Sequence, residues 1–263
     1  MPVTLLMHKI IIIESLPEGH RKTGYDLEDY LDTQLRNEIE HQLEIVFKRV
    51  EDKKSLFKLL DDITEQLKKD GKIPVLQLDT HGGVDGIELS NGEQIRWKEL
   101  RPIFTEINRV SRCNLLLVFS MCDGAHFLSE LAKIAGQRCP CAAMLGAIDR
   151  VYYPQLLLAL QVFYKTLLQT GEFEASVMTM NLETDSSLYI PLNAYDIYLK
   201  LQSGFIHQTV APQLLDALVK QGLFSRESIK REFESPGSGF WSSTRDRFLM
   251  LDLFPENKAR FFN

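Results

Sequence analysis

Between Lys9 and Gly146 the chain alternates apolar runs of strand length with longer amphipathic segments, the pattern of α/β units wound around a largely parallel sheet. The apolar runs predict strands at 9–14, 44–49, 74–80, 114–120 and 142–146. Helical spacing between them predicts helices at 27–42, 54–69, 97–110 and 125–136, with Asp26 capping the first and Gly71 ending the second. Asn91-Gly92 supplies the positive φ angles of a tight turn and predicts a small hairpin over 86–95. Beyond Gly146 the period becomes helical. Leu156, Leu160, Phe163 and Leu167 share one face of a predicted helix at 153–170, and a second follows at 173–181. Further helical stretches near 194–202 and 213–221, with a polar glycine-bearing loop at 234–239, predict a mainly helical C-terminal extension. The expected organisation is one domain over 1–185 with residues 186–263 packed on it. Neither an internal repeat nor a low-complexity tract interrupts the chain.

Composition narrows the function classes. A chain of 263 residues, 44% hydrophobic and 25% charged, can bury a sizeable core and is neither disordered nor fibrous in character. Its net charge of −6, with basic residues dispersed, argues against a general nucleic-acid binder. The apolar runs at 9–15 and 114–120 fall far short of the roughly 20 residues a membrane-spanning helix needs. The N-terminal run lacks a basic leader and is followed by Glu14 and Glu18, so it reads as a buried strand and not a signal peptide. Cys113, Cys122, Cys139 and Cys141 are too few and too clustered for a secreted disulfide framework, which points to a reducing cytoplasm. Cys139-Pro140-Cys141 has one intervening residue and no second pair, so buried thiols are expected there and no metal site.

The chemistry sits where two predicted strands end. One closes on Asp79-Thr80-His81-Gly82-Gly83, the other on Ser120-Met121-Cys122-Asp123-Gly124. Reacting groups in parallel α/β sheets gather at the carboxyl ends of strands. A thiol needs a base to supply thiolate at neutral pH, and an imidazole suits the task. The glycines let a substrate carbonyl approach backbone N–H donors, so an oxyanion hole is assigned to Gly82 or Gly83 together with Cys122. His126, one turn past Cys122, is a weaker candidate for the base. Asp79 shares a strand face with His81, where it either orients the imidazole, lines the pocket, or is an ordinary hydrogen-bonded carboxylate.

A strand ending in His-Gly, then Asp85-Gly86-Ile87 through Asn91-Gly92 to Ile95, then a strand ending in Cys-x-Gly resembles the caspase-like peptidases, including the CHAT group. The resemblance runs over roughly 9–181. It implies a three-layer α/β sandwich, a His81–Cys122 dyad, hydrolysis of a protein substrate without metal or organic cofactor, and a signalling or defence protease controlled by an activating partner or by self-association through residues 186–263. Caspases carry Gln-Ala before the nucleophile where this chain has Ser120-Met121. Family members that accept basic residues carry an acidic residue at the place of Ser120, so that pocket wall is missing here. The segment His20-Arg21-Lys22 resembles the caspase loop whose arginine binds an acidic substrate side chain, so Arg21 or Lys22 is expected to do likewise. Two rival readings remain: a caspase-like interaction module whose dyad is unused, and a flavodoxin-like nucleotide binder. The second is disfavoured because no glycine-rich phosphate loop follows the first strand.

Overall fold

The computed structural model describes residues 5–35, 43–128, 138–186, 188–194 and 245–258. β1 (Lys9–Ser15) is buried along its whole length, which is why its isoleucines run without polar alternation. β2 (Glu44–Arg49), β3 (Pro74–Gly83), β6 (Leu116–Ser120) and β7 (Ala143–Ala147) join it in parallel, and β8 (Tyr189–Asn193) closes the β7 side antiparallel. The order is β2-β1-β3-β6-β7-β8. β3 runs past the sheet and pairs with β4 (Gly86–Glu88), which pairs with β5 (Gln94–Arg96) to form the predicted hairpin.

Helices cover both faces, giving the expected three layers. On one side lie α2 (Lys53–Asp70) and α3 (Trp97–Val110), the latter over an aromatic cluster of Trp97, Phe104, Phe119 and Phe127. On the other side α1 (Thr23–Asp29) packs against α4 (Tyr153–Thr170), which packs against α5 (Phe173–Glu183). Asp52 caps α2 through the Ser55 N–H at 2.6 Å, and Gly71 ends it at φ 67°.

Three expectations are corrected. Asp26 caps nothing: α1 begins at Thr23, and the Asp26 carboxylate instead accepts the Tyr153 hydroxyl at 2.5 Å. α1 also stops at Asp29 and passes into a π-turn over Tyr30–Leu35. The helix expected from 125 opens as a 3-10 turn, Gly124–Phe127, and positions 129–136 of that expectation lie outside the described residues. Beyond 185 the first described element is β8, a strand of the same sheet, and Phe248, Leu249 and Met250 are buried in the common core. Of the helix expected near 194–202 only Ala194 is described, and the helix expected at 213–221 and the loop at 234–239 lie outside the described residues. No described helix is long and apolar enough to cross a membrane.

Candidate active site

The sheet reverses its winding between β1 and β3, the point where open α/β sheets form a crevice at the carboxyl ends of their strands. A cleft of about 310 Å³ opens there, lined among others by His20, Arg21, Asp79, His81, Cys122 and Tyr153. The register explains why its two reactive residues meet. Asp79 stands opposite Ser120 at the last pair of the β3–β6 ladder, and His81, still in β3, and Cys122, in the turn that follows β6, each come two residues later and both line the cleft. The approach is tightest at Gly82, where a Cβ would lie 2.0 Å from the Cys122 carbonyl oxygen.

Cys122 is half-buried and unbridged. Its Sγ accepts the Val151 N–H at 3.4 Å and lies 3.8 Å from the Val151 carbonyl. Tyr189, near the start of β8, lies close enough that burial first and the Cys122 charge second raise its phenol above the ordinary tyrosine value. His81 Nε2 faces His20 Nδ1 at 3.1 Å, the rings meeting edge to face with centroids 5.0 Å apart.

The two candidate oxyanion glycines separate on register. Gly83 stands opposite Gly86 across the two-residue turn Val84-Asp85, a pair that exchanges its hydrogen bonds; the next pair, Gly82 and Ile87, is the non-bonded kind. The Gly82 N–H therefore points out of the hairpin ladder, and the Gly83 N–H is taken up by it. His126 is not among the residues lining the cleft; its Nε2 lies 3.7 Å from Asp123 Oδ1, outside it. Asp123 caps no helix with its side chain and holds a left-handed backbone at φ 56°.

The proposed substrate-binding residues divide. Arg21 is exposed at the cleft, its guanidinium 5.1 Å from the centre of the Tyr153 ring. Lys22 turns inward, donating to the Leu16 and Pro17 carbonyls at 2.8 and 3.2 Å and standing 3.9 Å from Glu14 Oε1. It is not a cleft residue. Asp79 and Ser120 line the deep end of the cleft and are 1% exposed. Burial first, and then the neighbouring Glu14, hold the Asp79 carboxyl well above the ordinary carboxylate range. Glu14 is raised for the same first reason, with Lys22 opposing it. His20 is the cleft residue that sequence reasoning missed, and Glu14 is a buried neighbour of Asp79 outside the cleft lining. The His20-Arg21-Lys22 segment signalled the loop, but only the fold brings its imidazole to His81.

Among the described residues no group of three or more His, Cys, Asp or Glu side chains is arranged to hold a metal ion. Cys139 and Cys141 are buried, with the Cys139 thiol donating to the Cys141 carbonyl at 2.9 Å, the role expected of them.

No family model and no curated protein matches the sequence. Among solved structures, the Drosophila initiator caspase Dronc superposes with a TM-score of 0.53 over 72% of this chain and 82% of its own, at 12% identity. The fold is caspase-like. At that identity the likeness describes the caspase-like architecture, including the parallel sheet that carries His81 and Cys122 at neighbouring strand ends.

Proposed function

We propose that the chain is a cysteine endopeptidase in which His81 is the general base and Cys122 the nucleophile. The observation that carries this reading is their placement: two strand ends in parallel register present both residues to one cleft at the sheet's switch point. His81 takes the thiol proton, and the thiolate attacks the scissile carbonyl. The tetrahedral oxyanion faces the N–H groups of Gly82 and Cys122. As the C–N bond breaks, His81 returns the proton to the leaving amine and a thioester remains on Cys122. Water, deprotonated by His81, attacks the thioester, and the acid leaves with the thiol restored. His20 acts as a positioning residue by holding His81 Nε2.

An extended segment of a protein substrate fits this cleft, since the reacting groups stand at its rim and an open surface runs along the β4–β5 hairpin. A base-paired thiol in a reducing compartment needs restraint, so the same reading expects a signalling or defence setting with activation by a partner or by self-association through residues 186–263. A monomer fully active by itself contradicts that part. The test of the whole is hydrolysis of a peptide library varied before the scissile bond, comparing the wild type with Cys122→Ala and His81→Ala. Cleavage by the wild type alone supports the reading. Absence of cleavage under every candidate activator favours the interaction module with an unused dyad.

A further inference from the structure

Past His81 the chain turns back through β4 and β5, and the ribbon formed with the end of β3 has two unlike faces. Ile87 and Ile95, opposite one another in register, are buried beneath it. His81 stands opposite Glu88 and Glu88 opposite Gln94, while Arg96 follows two residues after Gln94, so these side chains share the other face. Glu88 is half-buried, and Gln94 and Arg96 are exposed. A second cleft of about 350 Å³ opens over that face, lined among others by His81, Gly82, Glu88, Gln94 and Arg96. It shares His81 and Gly82 with the first cleft and does not include Cys122. Glu88 and Arg96 occupy diagonal positions across the β4–β5 pair, which sets them about 7–8 Å apart. Among the described residues neither has an ion pair, with the other or elsewhere. Glu99, three residues past Arg96, is already taken up by Lys53 Nζ and by the Arg96 backbone N–H. Asp85 also lines this cleft and forms no ion pair with Arg96, so the guanidinium stays open to an acid from outside.

The peptidase chemistry decides which half of a substrate reaches this second cleft. The acyl half stays on Cys122, and the amine half departs from His81, the residue that protonates it. The opening that includes His81 without Cys122 is the hairpin face. Resting on the peptidase reading above, we infer that this face binds the segment following the scissile bond and reads the order of its charges, with a lysine or arginine first, held by Glu88, and an aspartate or glutamate third, held by Arg96. The spacing fits. In an extended chain, side chains two residues apart point the same way and lie about 6.6 Å apart, close to the diagonal separation of Glu88 and Arg96. The residue between them points away from the hairpin and is free to vary. The reverse order sets an acid against Glu88 and a base against Arg96.

Two peptides of one composition isolate charge order from net charge. Both carry the same randomised mixture before the scissile bond and continue with Lys-Gly-Asp-Gly in one and Asp-Gly-Lys-Gly in the other. The wild type should cut the first about tenfold faster, the scale of two exposed charge pairs gained against two opposed. The double variant Glu88→Lys, Arg96→Glu should reverse the preference. Equal rates for the two orders, or a preference unchanged in the double variant, overturns the inference and leaves the peptidase reading standing. A second readout needs no turnover. Lys-Gly-Asp-Gly amide and Asp-Gly-Lys-Gly amide, each with a free amino terminus like a departing product, are titrated into the whole chain while the backbone N–H signals of Ile87 and Ile95 are followed by NMR. Displacement by the first peptide at concentrations where the second has no effect, lost in Arg96→Gln, supports the site even if no peptide is cut. Equal displacement by both, none by either, or displacement that persists in Arg96→Gln overturns it.

Discussion

Gly82→Ala tests the closeness of the two strand ends. The added Cβ would stand 2.0 Å from the Cys122 carbonyl oxygen and 2.7 Å from Met121 Cγ. Side-chain carbons do not approach closer than 3.0 Å, so the backbone of β3 or of the Cys122 loop must yield by at least 3.0 − 2.0 = 1.0 Å. Overpacking of this kind costs about 1–3 kcal/mol, which lowers the melting temperature by several degrees in a chain of this size. The same displacement separates base, nucleophile and oxyanion donors, and a 1 Å misplacement costs about 100-fold in rate. Gly83→Ala is the matched control, because nothing lies within 4 Å of its Cβ and its φ is not left-handed. It should stay within about 0.5 kcal/mol of the wild type, as ordinary surface substitutions do. Thermal melting and peptide hydrolysis read both variants. Equal losses in the two, or a Gly82→Ala protein of unchanged stability and rate, would refute the reasoning.

Two further outcomes follow from the same geometry. His20→Ala releases His81 Nε2 and should lower kcat by about 10- to 100-fold with KM unchanged, while His20→Asn, which keeps a polar atom near the Nδ1 position, recovers part of it; a change confined to KM would contradict a positioning role. Asp79→Asn should fold more stably than the wild type at pH 7–8. Burial and Glu14 raise the folded Asp79 pKa above its ordinary 3.8, so between those values the unfolded chain ionises while the folded one holds its proton, and stability falls as pH rises through that window. The advantage of asparagine should vanish toward pH 4, and urea melts at several pH values check it; a variant destabilised at pH 7–8, with the loss fading toward low pH, would show Asp79 to be ionised and paired.

Much of the fold was legible because burial leaves a direct trace in the chain. The unbroken isoleucines of β1, the 3.6-residue spacing of α3 and α4, and Asn91-Gly92 each answer to a local rule. β8 escaped because Pro191 sits mid-run and argues against a strand; it is tolerated where β8 lies at the end of the sheet order, paired only with β7. The start of α1 escaped because Thr23-Gly24 is a poor helix opening, and Gly24 is there for space, with Ile12 Cγ2 only 3.0 Å from where its Cβ would be. His81 and Cys122 stood out as strand-end chemistry. The Glu14–Asp79–Ser120 row and the His20 contact did not, because both depend on strand order and register, which no periodicity in the chain encodes.

The central claim is that His81 activates Cys122, and the alkylation rate of Cys122 by iodoacetamide tests it without any knowledge of substrate. Mass-resolved rates near neutral pH should show Cys122 reacting far faster than the buried Cys113, Cys139 and Cys141, and His81→Ala should slow Cys122 to the rate of an ordinary exposed thiol. A Cys122 rate unchanged by His81→Ala would contradict the dyad.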